Sequence, residues 1–246
     1  MTHTFLYSTN ELFPLFSFYH VLLLTFFFGA AVWMIRHADF IRQPKANRAI
    51  RLTLIITIIT QQFMLYGWYY ANGAFDVHDA LPLYPCRLST LFVLLLLIRM
   101  NDKFFPVVFY WGIVGAVLAM LSPDTEGIGF PNIMFIQFFL GHGALLLGTV
   151  FLAITSNYRP TFKGLRTTYF FSFIYFVAML ALNQSIGSNY AYLSTLPPSP
   201  FLEGLPAFPI YVPFLLMTMF LLFYGIYAAH RAWYKRFAPE KLPISM

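Results

Sequence analysis

The sequence predicts an all-α membrane protein: one domain, residues 1–246, built as a bundle of seven transmembrane helices with the N-terminus outside and the C-terminus in the cytoplasm. Three observations carry this. The chain is 59% hydrophobic and 10% charged, whereas soluble domains carry about a quarter charged residues to cover their surface. Seven apolar runs have the length that crosses a hydrocarbon core of ~30 Å, at about 14–35, 52–71, 81–98, 104–122, 131–155, 167–187 and 208–229. Fourteen of the 15 Lys and Arg residues fall on alternate connections between those runs.

The first run lacks a basic leader and is too long for the apolar core of a signal peptide, so it reads as a retained span. Arg36, Arg42, Lys45, Arg48 and Arg51 follow it. The second run carries Gln61 and Gln62 at mid-depth. In the third, Pro82 and Pro85 forbid a regular helix before about Tyr84, and Arg87 lies inside the run. It still counts as a crossing, because Arg99 and Lys103 follow it and six spans would break the alternation of basic loops. The fourth run repeats Gly112, Gly115, Ala116 and Ala119 at spacings of three and four, a small-residue ridge for close helix contact. The fifth carries Gln137 and His142 between Gly141 and Gly143, and Arg159, Lys163 and Arg166 follow it.

The sixth run ends at Asn183 and Gln184. The segment 188–209 after it holds Pro197, Pro198, Pro200, Pro206 and Pro209, which favour a stiff, partly extended cover over the outer end of the bundle. The seventh run has no lysine, which excludes a retinal Schiff base, and Arg231, Lys235, Arg236 and Lys241 follow it. Glu11, Asp76, Asp79, Asp124, Glu126 and Glu203 occupy the other loops, which have no Lys or Arg. The positive-inside rule sets the orientation from this asymmetry. The net charge of +6 is therefore a topology signal with some affinity for anionic lipid, and a nucleic-acid partner is not expected.

Polar residues inside spans are expensive and default to functional hypotheses. Gln61, Gln62, Cys86, Arg87, Gln137, His142, Asn183 and Gln184 all fall in the middle or outer parts of their spans, so a pocket would open outward. Arg87 cannot deprotonate and needs a partner: Asp79, Asp124 or a substrate phosphate. Cys86, the single thiol, stands at a helix start beside that charge, surroundings that favour a thiolate; inert packing is the other reading. One cysteine excludes a disulfide within the chain and any metal site of several thiolates, and no metal is expected. His142 reads as a general base, a proton relay or a core histidine, with His20 as the competing base. At ~1.5 Å per residue His142 lies about 16 Å below Pro131, while Cys86 lies nearer the surface if its span starts at Leu81. That depth mismatch counts against a Cys/His pair.

Several blocks between about 80 and 200 resemble a known family. They are Leu81-Pro82-Leu83 before Cys86, Tyr110-Trp111-Gly112, Ser122-Pro123-Asp124, Gln137-Phe138-Phe139 with Gly141-His142, and Asn189-Tyr190-Ala191-Tyr192-Leu193 before Pro197. In these the sequence resembles the YwaF family of bacterial integral membrane proteins, to which vertebrate transmembrane protein 164 is related. The resemblance implies a lipid acyltransferase whose proposed catalytic cysteine and histidine fall on Cys86 and His142. Tyr84-Pro85 departs from the His-Leu expected before the cysteine. The expected activity is transfer of a fatty acyl chain between lipids at the outer leaflet of the cell membrane, with a phospholipid or lysolipid as substrate and no cofactor. Arg87, Gln61, Gln137, Asn183, Gln184 and Asn189 are the candidate substrate-binding residues. A small-molecule transporter or substrate-binding membrane subunit, without covalent chemistry, is the alternative.

The charge asymmetry makes one prediction directly. A cytoplasmic reporter fused after Met246 should be active, as should a periplasmic-type reporter inserted near Gly204. The reverse result at either point overturns the seven-span topology.

Overall fold

Proline and the apolar runs together set where each helix begins. The computed structural model describes residues 14–101, 103–125, 128–197 and 202–237, and among these the secondary structure is helical throughout, with no strand. In chain order the α-helices are α1 (Phe18–Arg36), α2 (Ala38–Arg42), α3 (Pro44–Ala71), α4 (Pro85–Ile98), α5 (Phe105–Leu121), α6 (Ile133–Thr155), α7 (Phe162–Ile186) and α8 (Tyr211–Phe237), with a 3-10 turn at Tyr190–Tyr192 before α8. Pro44, Pro85 and Pro106 stand in the first turns of α3, α4 and α5, where a missing N–H costs nothing and φ is already helical. Thr161 and Asn132 cap α7 and α6 by accepting from the Gly164 and Met134 amides.

Five helices, α1, α3, α6, α7 and α8, are long and apolar enough to cross a membrane; α4 and α5 are apolar but shorter. Large apolar side chains cover the outside of the bundle, Phe63 being 76% exposed and Phe18 75%, which suits a hydrocarbon solvent and no aqueous one. The helix bounds differ from the apolar runs in two informative places. α3 begins eight residues before the run at 52, because Lys45, Ala46, Arg48 and Ala49 are good helix formers behind a proline start. α4 begins at Pro85 rather than 81, so it is only 14 residues long.

α6 is the buried axis. It packs against α1, α3, α4 and α5, and residues Ala144, Leu145, Leu146, Val150, Phe151 and Leu152 are all buried. Basic residues gather at one end of the bundle: Arg42 donates to the Ile154 carbonyl (3.2 Å) and to Asn157 (2.7 Å), and Arg51 donates to the Leu97 carbonyl (2.7 Å). The other end is closed by contacts between the start of α1 and the end of α5, where His20 is fully buried. Its Nε2–H donates to the Met120 carbonyl (2.8 Å), and its Nδ1 accepts from the Phe16 amide (3.0 Å).

The small-residue ridge on α5 divides in two. Gly112 faces α6, where an added Cβ would overlap Thr149 Oγ1, which is pinned by its own bond to the Leu145 carbonyl. Ala116 is also fully buried. Gly115 and Ala119 face a cavity instead. Gly112→Ala should therefore lower the thermal midpoint of the purified protein in detergent, by the equivalent of about 1–3 kcal/mol of overpacking. Gly225→Ala on α8, where a Cβ meets nothing within 4 Å, should not lower it.

Candidate functional site

Between α3, α4, α5, α6, α7 and α8 lies a cavity of about 800 Å³, in the size range of small-molecule pockets. Its apolar walls include Trp111, Leu118, Phe176, Leu215 and Phe223, and its polar lining includes Gln62, Arg87, Asp124 and His142. Cys86 lines it as well, partly exposed as a free thiol.

The thiol and the imidazole are at nearly the same depth. Val93 of α4 meets Gly148 of α6; from that level Cys86 is seven residues toward the site end and His142 six. At ~1.5 Å per residue the two differ by about 1.5 Å in depth, which corrects the sequence-based mismatch. The reason is the late start of α4. Residues 72–84 fold over its end, Tyr84 becomes the N-cap, and Cys86 follows one residue into the helix.

His142 is set up as an acceptor. Its Nδ1 is 2.8 Å from the Phe138 carbonyl one turn back, and because a carbonyl only accepts, that nitrogen carries the proton. Nε2 is left with its lone pair and no hydrogen-bond partner among the described residues. The Phe138 ring, 4.2 Å from the imidazole centroid to centroid, steadies its plane. The flanking glycines serve packing: a Cβ at Gly141 would press on Gln61 and one at Gly143 would overlap Phe27. His20 has both ring nitrogens engaged and does not line the cavity.

Residues 7–227 match the TMEM164 family. The chain belongs to that family. No curated protein and no solved structure matches it. It is accordingly a membrane protein of the TMEM164 family with several apolar spanning helices.

In this TMEM164-family chain Arg87 meets Asp79. Its guanidinium donates to the Asp79 carbonyl (2.6 Å) and the Tyr69 hydroxyl (2.7 Å), with the Asp79 carboxylate 3.8 Å away. Tyr69 and Tyr84 both donate to that carboxylate, at 3.1 and 2.7 Å, and their rings flank the cation at 5.7 and 5.1 Å. Tyr84, the departure from the expected motif, is thus part of the charge network. Asp79 neutralises Arg87, while Asp124 adds a second carboxylate to the cavity wall and accepts from Tyr192 (2.8 Å). The lining is therefore not a cationic phosphate clamp; Arg87 thus faces the cavity with its charge already paired.

Gln61 and Gln137 meet as side chains. Gln61 donates to Gln137 (2.7 Å), Gln62 donates to Gln61 (2.9 Å), and Gln137 donates to the Met134 sulfur (3.0 Å). All three glutamines line the cavity, and the bonds between them spread its polar character over α3 and α6.

Asn183, Gln184 and Asn189 do not reach the cavity. Asn183 is buried and committed to the outer cover: it donates to the Tyr190 carbonyl and accepts from the Tyr190 amide and the Ser188 hydroxyl. Asn189 binds the backbone of Ser194 and Thr195, and Gln184 is exposed. These bonds hold Ala191 and Tyr192 at φ of 59° and 55°, a left-handed conformation that L residues adopt only when the surroundings impose it. The result places Ala191, Tyr192 and Leu193 over the cavity. Residues 198–201 of the proline-rich cover lie outside the described residues.

Gly115 was read as packing, yet its only neighbour is the thiol: an added Cβ would be 3.2 Å from Cys86 Sγ and touch nothing else within 4 Å. Gly115→Ala should keep or raise thermal stability, since alanine is the better helix former by about 1 kcal/mol. It should also slow alkylation of Cys86 by N-ethylmaleimide severalfold. An unchanged alkylation rate would mean that the thiol is approached from another side.

Proposed function

We propose that the protein is a membrane-embedded acyltransferase that moves a fatty acyl chain between lipids through Cys86 and His142. The observation that carries this reading is the shared depth of the only thiol and a histidine with a free Nε2 on one largely apolar cavity. Family membership supports it through the acyl chemistry that the resemblance implies.

In the first half-reaction His142 Nε2 takes the Cys86 proton as Sγ attacks the ester carbonyl of a donor phospholipid. The tetrahedral intermediate breaks its carbon–oxygen bond, the lysolipid oxygen leaves with the proton from His142, and a thioester remains on Cys86. In the second, Nε2 takes the proton of an acceptor lysolipid hydroxyl, whose oxygen attacks the thioester, and Cys86 leaves and recovers the proton. One imidazole serves both halves. Gln62, with its carbonyl oxygen unengaged by the glutamine chain, orients the polar part of the substrate.

The reading includes seven crossings, with α4 and α5 spanning despite their length, and a cavity that faces the outer leaflet of the cell membrane, because the basic loops lie at the opposite end. Purified protein incubated with phospholipid should carry a hydroxylamine-labile acyl mass on the peptide containing Cys86. Cys86→Ala removes it, and His142→Ala slows its formation and its breakdown by about a hundredfold or more. Acyl transfer at the parent rate by Cys86→Ala overturns covalent catalysis. Survival of a transport activity in that variant favours a carrier that uses the glutamine-lined wall.

A further inference from the structure

α8 touches the bundle at two levels only. Tyr211 and Val212 are buried at its site end and Phe223 is buried lower down, while no residue of 213–222 is buried. That stretch covers roughly 16 Å of helix. Leu215, Thr218, Met219 and Leu222, at spacings of three and four, form one stripe that lines the cavity. On the facing helix α5, Leu118 and Leu121 also line the cavity, yet they are 48% and 36% exposed, as Leu222 is 37% exposed.

The gap between the two helices is closed above and below. Below, Tyr110 of α5 meets Phe223 with ring centroids 5.6 Å apart. Above, a chain of bonds joins the end of α5 to the start of α8: Tyr192 donates to Asp124 (2.8 Å) and Tyr211 donates to the Tyr192 carbonyl (2.9 Å). What remains is a framed opening in the side of the bundle with a leucine rim and no titratable group on it. Both helices present apolar side chains to the membrane around it, Phe214 and Leu221 among them.

We infer that the opening between α5 and α8 is a lateral window through which the hydrocarbon chain of a bilayer lipid enters the cavity and reaches Cys86. The occupant is set by chemistry: the rim is apolar, faces hydrocarbon, and is continuous with the thiol-bearing cavity, so a fatty acyl chain crosses it without desolvating a polar group. The inference rests on the acyl-transfer reading only for what becomes of the chain once inside.

Cys86 is the only cysteine, so the parent protein in lipid vesicles reports on its own access routes. Two probes separate them: hexadecyl maleimide dissolved in the bilayer, and a small charged methanethiosulfonate added from water. The window requires that both modify Cys86, and that Leu118→Trp combined with Leu222→Trp slows the long-chain probe by about tenfold or more while the small probe changes by less than about threefold, since packed rings do not yield to let a chain pass. Leu118→Ala, which widens the rim without adding bulk, should speed the long-chain probe, and Phe214→Trp on the lipid face should leave both rates as they are. Long-chain labelling that ignores the paired tryptophans, or that slows only in step with the small probe, overturns the window, as does a long-chain probe that never reaches parent Cys86. Normal labelling with no thioester on Cys86 instead removes the acyl-transfer reading and leaves the window standing.

Discussion

The architecture of the site depends on one charge that has no way to become neutral. An arginine at membrane depth costs about 3 kcal/mol even by insertion scales, and Arg87 avoids that cost by bringing its counter-ion in. Asp79, from the loop between α3 and α4, meets it through both its backbone carbonyl and its carboxylate, and Tyr69 and Tyr84 fill the remaining directions. To deliver Asp79 there, residues 72–84 must fold over the end of α4 rather than continue it as helix. The consequence is a helix that starts late, at Pro85, and a thiol carried at the level of His142 instead of at the membrane surface. A salt bridge that neutralises Arg87 therefore also sets the depth of the chemistry.

The cavity persists because the elements that could fill it are held apart. Gly112 draws α5 onto α6, which leaves Gly115 and Ala119 on the other face of the same helix with too little bulk to close the space. α8 is fastened at Tyr211 and Phe223 but not between them. At the site end the strained turn at Ala191 and Tyr192, imposed by Asn183 and Asn189, covers the opening without entering it. An unfilled apolar void of this size forfeits dispersion contacts along its whole lining. A fold maintained against that cost by a strained turn and a paired buried charge is better explained by an occupant than by loose packing.

Much of this was legible in the residues. Hydropathy located the helices, the proline pair placed the start of α4 near Tyr84, and the unusual position of Arg87 identified the one charge in need of a partner. Depth along a span was less legible, because it was counted from where each apolar run began. Leu81 starts an apolar run but not a helix, and Pro85, already noted as a breaker, was the signal that would have corrected the count. The polar residues were also sorted by position along the helix and not around it. Asn183 and Gln184 are adjacent, yet one is buried under the cover and the other is exposed, and neither turns toward the cavity. The double role of α5 was hidden for the same reason: Gly112 and Gly115 are alike in sequence, and only the neighbours of each, Thr149 for one and Cys86 Sγ for the other, separate a packing glycine from a lining one.

The two histidines of the bundle illustrate how local bonding decides chemistry. Both lie within apolar helices near the same end, and both were candidates for a base. His20 accepts at Nδ1 and donates at Nε2, so each nitrogen is bound to backbone and the ring joins α1 to α5 as a fixed strut. His142 donates at Nδ1 to its own helix and leaves Nε2 unengaged at a cavity wall. A proton acceptor needs a lone pair that no neighbour already uses and a space in which a substrate can offer its proton. Only His142 meets both conditions, and the Phe138 carbonyl that fixes its tautomer is the reason the open nitrogen is the one beyond the helix rather than the one against it.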